Sequence, residues 1–141
     1  MSRATAKLRD SRPRSLNLHP DSGIFPLRRV LLVVDDDESV CKGLVRLLGN
    51  RFEETVTALN PGEAVSMLDT RLVTHIVCDY WLGQGQPLGI DLVATWRKKY
   101  SSIQHAVIFT GNDINAIPTT VGVDDIISKS AKPSALIEKL I

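Results

Sequence analysis

The sequence predicts an α/β fold, a single doubly wound sheet of five parallel strands, and three observations predict it. From Arg29 onward, short apolar runs alternate with stretches of helical period, the pattern of strands wrapped by helices. The runs VLLVV, HIVC and AVIF are continuously apolar rather than alternating, as strands covered on both faces must be. Those runs lead into Asp35, Asp79 and Thr110, so polar groups collect at one edge of the sheet.

Each element follows from local chemistry. Val30 to Val34 is the first strand, and Val40, Leu44, Leu47 and Leu48 then recur at helical spacing, predicting a helix from about Ser39 to Asn50. Thr55 to Leu59 is β-branched and predicts a second, edge-like strand. Asn60-Pro61-Gly62-Glu63 supplies an N-cap, a proline at the first helical position and an acid three residues past the cap, so a helix follows through about Leu68. His75 to Cys78 is the third strand, and Gly83, Gly85, Pro87 and Gly89 mark a loop before a helix over Ile90 to Lys99. Ala106 to Phe109 is the fourth strand. Pro118, Gly122 and the pair Thr119-Thr120 interrupt what comes next, so the fourth helix is expected to be short or irregular. Ile126 to Ser128 is the fifth strand, and a last helix starts at about Pro133 and runs to Ile141.

Composition narrows the class. The 141 residues suffice for one core, and 43% hydrophobic with 23% charged residues excludes wholesale disorder, collagen-like repeats and coiled coil. A formal charge of +1 offers no global field for gripping nucleic acid, although Arg3, Lys7, Arg9, Arg12, Arg14, Arg28 and Arg29 crowd the start. Residues 1–28 have few apolar positions and are expected to be a basic flexible tail or linker, with residues 29–141 as the folded domain. Cys41 and Cys78 sit in apolar patterns without metal-ligand spacing and read as reduced, packed thiols, which suits a cytoplasmic protein. No apolar run approaches the roughly 18 residues of a membrane span. His75 and His105 are expected as exposed loop residues before strands, Trp81 as a loop contact and Trp96 as a partly packed helix residue. The loop GQGQPLG lacks dinucleotide-binding spacing and follows the third strand rather than the first.

The strand ends carry the chemistry. In an open parallel sheet, functional groups gather outside the carboxyl ends of the strands, and here those ends hold Asp35, Asp36, Asp79, Thr110 and Lys129. Four consecutive acids, Asp35 to Glu38, repel one another unless a cation sits among them, although Asp37 and Glu38 also suit a helix N-terminus. A hard cation such as Mg²⁺ takes carboxylate oxygens, water and a phosphate oxygen. Asp35 and Asp36 can hold it. An Asp carboxylate can attack phosphorus when a metal and a fixed cation neutralise the transferring group, and Asp79 is placed for that role. Lys129 would contact the phosphoryl oxygens, and Thr110 would donate a hydrogen bond to one of them.

The stretches VLLVVDDDES, HIVCDYWLGQGQPLGIDL, VIFTG and DDIISKSAKPSALIEKL make residues 29–141 resemble a receiver domain of bacterial two-component signalling, with the flavodoxin-like fold of chemotaxis regulators. The wording is most similar to receivers attached to hybrid histidine kinases. The resemblance implies a phosphoacceptor at Asp79, Mg²⁺ bound by Asp35, Asp36, Asp79 and the backbone carbonyl of Trp81, and Thr110 and Lys129 reading the phosphoryl group. It implies an aspartyl phosphate formed from a histidine kinase or histidine phosphotransfer protein in a phosphorelay. No catalysis is expected beyond the domain's own phosphorylation and dephosphorylation. With no DNA-binding segment after Ile141, output is expected through protein contacts or a phosphorelay, or from a domain absent in this chain, with no direct nucleic-acid and no membrane partner. Two departures stand out: Ser130 follows Lys129 where the family has proline, and Ile126 occupies the position of the family's switch aromatic. A Lys-Pro pair does occur at Lys132-Pro133, but choosing Lys132 pushes Ile126 and Ile127 out of the strand, so Lys129 is favoured. Two other readings stay open. One is a pseudo-receiver that binds partners without phosphorylation. The other is a haloacid-dehalogenase-type phosphatase with Asp35 as nucleophile and Asp37 as acid/base, in which Asp79 would have no task.

Overall fold

A computed structural model describes residues 28–118 and 122–140. The tail expected over residues 1–28 lies, except for Arg28, outside the described residues. The elements run β1 (Val30–Val34), α1 (Glu38–Leu48), β2 (Glu54–Ala58), α2 (Pro61–Thr70), β3 (His75–Cys78), α3 (Gly89–Lys99), β4 (His105–Thr110), β5 (Asp125–Ser128) and α4 (Pro133–Leu140). All strand pairs are parallel and the sheet order is β2-β1-β3-β4-β5, which is the flavodoxin-like arrangement. The edge position expected for the second strand is the one β2 occupies.

Strand alternation divides the interior into two apolar layers. Val30, Leu32 and Val34 of β1 face a layer completed by Ala64 and Leu68 of α2 and by Ile90, Val93 and Trp96 of α3. Leu31 and Val33 face the other, with Cys41, Leu44 and Leu48 of α1 and Leu136 and Leu140 of α4. Both layers close over β1, whose five residues are all buried, and this is why its sequence shows no polar alternation. Trp96, expected to be partly packed, is buried at 3% exposure because α3 lies along the sheet with its apolar stripe inward.

Capping sets where the helices begin. Asp37 accepts from the Ser39 N–H at 2.9 Å and starts α1, and Asn60 accepts from the Glu63 N–H at 2.9 Å and starts α2, with Pro61 in its first turn. Between β4 and β5 the described chain forms only a 3-10 turn, Ile114–Ala116, in keeping with the irregular fourth helix expected there; residues 119–121 are outside the described residues. Gly122 then returns at φ +102°, where a Cβ would stand 3.0 Å from the Cα of Ala94, so the connection presses directly on α3.

The two histidines correct the sequence reading. His105 is not a loop residue but opens β4, in register with His75, which opens β3 where the third strand was expected to start but is not exposed. His75 is buried, packs edge-on to Phe52 at 5.0 Å, and has its Nδ1 2.7 Å from the Thr74 hydroxyl. His105 Nε2 meets the Lys139 carbonyl at the end of α4. Period-two alternation fails to flag them because an imidazole partnered by a hydroxyl or carbonyl is tolerated inside a sheet.

Gly89 opens α3 where the helix touches the turn after β3. Its N–H donates to the Tyr80 carbonyl at 2.8 Å, and a Cβ there would fall 1.9 Å from the Asp79 carbonyl oxygen. Gly89→Ala is therefore expected to destabilise the fold by roughly 1–3 kcal/mol, seen as a lower urea midpoint at unchanged slope. A second expectation concerns pH. Burial, reinforced by the charge of Arg29 and by His105, pushes the His75 pKa down to about 4 from 6.5. Above pH 6.5 the imidazole is neutral in both folded and unfolded chains. As pH falls from 6.5 towards 4 the unfolded chain takes up the proton first, so stability declines, by at most about 3 kcal/mol. Urea titrations of His75→Gln between those limits should show a shallower decline than wild type.

Candidate functional site

The order β2-β1-β3 reverses the direction of winding between β1 and β3, and a crevice opens beyond their carboxyl ends. Val34 is in register with both Ala58 and Cys78, so Asp35 and Asp79 leave adjacent strands side by side. Thr110 ends β4 in register with Ser128, and Lys129 follows immediately, its N–H donating to the Thr110 carbonyl at 2.7 Å. Four strand ends thereby bring four segments of sequence to one place.

Asp35 is buried and both of its oxygens are engaged: Oδ1 accepts from the Asp37 N–H at 2.9 Å and Oδ2 meets Lys129 Nζ at 2.8 Å. Lys129 Nζ also reaches Asp79 Oδ2 at 3.3 Å, so one ammonium spans two carboxylates from neighbouring strands. Asp36 is exposed, whereas Asp79 is buried. Burial, with the charge of Asp35 added, holds the Asp79 carboxyl above its ordinary pKa, even though Lys129 and the Trp81 backbone N–H act to lower it. Burial opposes the Lys129 ammonium, but the Asp35 hydrogen bond and the charges of both aspartates outweigh that and raise its pKa. Two buried carboxylates against one ammonium leave a deficit of positive charge, and Asp36 deepens it.

That deficit suits a metal ion. Asp35, Asp36 and Asp79 each offer an oxygen, and the three atoms lie within 4.8 Å of one another, a spacing compatible with one oxygen-coordinated divalent cation. The predicted residues Asp35, Asp36, Asp79 and Lys129 are thus brought together. Lys132, the alternative lysine, is exposed, and its carbonyl accepts from the Ala135 N–H in the first turn of α4. Thr110 is at the neighbouring strand end, fully buried, with its hydroxyl turned to Asn112: Oγ1 donates to Asn112 Oδ1 at 3.1 Å and accepts from the Asn112 N–H at 3.1 Å. Asn112 escaped the sequence reading, although a Thr followed two residues later by Asn is a pattern in which side chain and backbone commonly bond locally. The Trp81 side chain is half exposed beside the site. Asp37, given above as a cap, takes that place on α1.

The model of the response regulator receiver domain matches residues 31–141. The chain belongs to that family. Among solved structures, the receiver resembles a CheY-like receiver domain protein from Methanospirillum hungatei JF-1, with 22% identity, TM-score 0.64, 81% of this chain and 90% of that one covered. It also resembles the signal receiver domain of an HD domain-containing protein from Pseudomonas fluorescens Pf-5, with 23% identity, TM-score 0.70, and 80% and 91% covered. A response regulator from Thermotoga maritima, in complex with Mg²⁺ and BeF, matches at 22% identity and TM-score 0.65, with 80% and 96% covered. These likenesses concern the fold. No curated protein matches the receiver by sequence. Among the described residues no helix is long and apolar enough to cross a membrane.

Removing the ammonium while keeping its stem should deepen the charge deficit. Lys129→Met is expected to tighten Mg²⁺ binding by about tenfold, measured by isothermal titration, since the ammonium removed lies 2.8 and 3.3 Å from two carboxylates of the acidic cluster and a unit charge at ~4 Å is worth about 1 kcal/mol even in bulk water.

Proposed function

We propose that this receiver is a phosphoacceptor in a two-component or phosphorelay system. An Asp79 carboxylate oxygen attacks the phosphorus of a phosphohistidine carried by a histidine kinase or histidine phosphotransfer protein. The new O–P bond forms as the P–N bond breaks, and the electron pair leaves with the imidazole nitrogen, which then takes a proton from water. The observation that carries this reading is the Lys129 ammonium between Asp35 and Asp79, a fixed positive charge where phosphoryl oxygens would arrive.

The chain's own groups divide the work. Asp79 is the nucleophile; its raised pKa reflects a carboxylate poorly compensated in the resting state. Lys129 exchanges a carboxylate partner for a phosphoryl oxygen, and the Thr110 hydroxyl donates to another. Asp35, Asp36, Asp79 and the Trp81 carbonyl would hold Mg²⁺, which when bound supplies positive charge to the phosphoryl oxygens. Later attack of water on phosphorus returns the free carboxylate and inorganic phosphate. The charge added at Asp79 alters the loops around Thr110 and, through them, affinity for a protein partner. Residues 29–141 form the receiver, residues 1–28 a basic linker, and the protein works in the cytoplasm. Against the phosphatase alternative, Asp37 is engaged with the first turn of α1 and both Asp35 oxygens are already bonded, which leaves that pair poorly suited as acid/base and nucleophile.

Incubation with acetyl phosphate and Mg²⁺, followed by peptide mass spectrometry, should add one phosphoryl group at Asp79 in wild type and none in Asp79→Asn. Labelling at Asp35 would instead support the phosphatase, and an unlabelled wild type the partner-binding module.

A further inference from the structure

Thr110 ends β4, the strand beside β3, and its hydroxyl is engaged by Asn112. The side chain is fully buried, so its rotor is not free to sample water, and its one proton goes to Asn112 Oδ1 while the Asn112 N–H occupies a lone pair, both at 3.1 Å. A hydroxyl has a single proton to give. It cannot serve Asn112 Oδ1 and a phosphoryl oxygen on Asp79 together.

We infer that Asn112 is a positioning residue that holds the Thr110 hydroxyl in the unphosphorylated state and must release it before the hydroxyl can donate to the phosphoryl group. This rests on the phosphoacceptor reading above. Two features of the site favour an exchange. The bond to the amide oxygen is neutral, whereas the one to a phosphoryl oxygen is charge-assisted and roughly twice as strong, so the swap runs forward once the phosphoryl group is present. Asn112 is exposed on the turn after β4, so its carbonyl oxygen can be taken over by water when the hydroxyl leaves, which avoids stranding a buried acceptor. The strength of the Thr110–Asn112 bond then sets how much of the phosphoryl group's affinity is lost to breaking it, and residue 112 tunes the balance without touching the phosphorus.

The test is a double-mutant cycle in the full chain using beryllofluoride with saturating Mg²⁺ as the phosphoryl mimic. Asn112→Ala should tighten beryllofluoride binding about two- to tenfold, the range a single neutral hydrogen bond allows. Thr110→Val should weaken it, and adding Asn112→Ala in the Thr110→Val background should have no further effect, because no hydroxyl is left to release. Urea midpoints measured alongside separate this from a general loosening of the loop, which would change beryllofluoride affinity equally in both backgrounds. An Asn112→Ala variant with unchanged or weaker affinity, or an equal effect with and without the hydroxyl, overturns the inference and leaves the phosphoacceptor reading intact. A wild-type chain that binds Mg²⁺ but no beryllofluoride overturns both.

Discussion

One electrostatic constraint organises this molecule: two carboxylates from adjacent strands share one ammonium at the point where the sheet reverses its winding. Asp35 and Asp79 are both buried, and isolated charges so placed would be prohibitively costly. Lys129 offsets part of that cost at 2.8 and 3.3 Å, but to do so it must be delivered by β5, two strands away in the sheet from β3. The register of β4 against β5 therefore matters to chemistry as much as to packing. A slip of one residue would turn Lys129 to the other face. The same scarcity of positive charge leaves the cluster receptive to a divalent cation.

Much of the fold was legible because its strands are buried on both faces, which writes them as uninterrupted apolar words. β1 and β3 begin and end where the sequence indicated, and α2 begins at Pro61 behind its Asn60 cap. The discrepancies are at ends, where hydrogen bonding and propensity part company. β2 begins at Glu54, one residue earlier than its β-branched run, because Glu54 pairs with Val30. β4 gains His105 and Thr110 because parallel pairing continues beyond the apolar core of the run. The last turn of α1 tightens into a 3-10 turn over Gly49–Arg51, which spacing alone does not distinguish from continued helix.

The site was legible for a different reason. Acids, hydroxyl and lysine each follow a strand, so reading the strands correctly brings them together without any knowledge of side-chain geometry. What spacing could not convey is how each group is engaged. Nothing in the order of residues says that Asp35 would have both oxygens bonded, or that the Thr110 hydroxyl would face Asn112 rather than Asp79. Such details depend on rotamers inside a crowded pocket. The histidines failed for a related reason: polarity suggested solvent, but the neighbouring Thr74 and, from distant sequence, Phe52 and Lys139 supply partners.

The contact between Gly89 and the Asp79 carbonyl limits how this domain can move. With no side-chain atom between them, the start of α3 and the end of β3 behave as a single mechanical part, and the hydrogen bond from Gly89 to Tyr80 locks their spacing. A change of charge at Asp79 finds no slack on that flank. Across the crevice, the turn beyond β4 carries only a short 3-10 segment among the described residues. The two banks of the crevice are thus built differently, one by backbone-to-backbone contact between strand and helix and the other by a short turn.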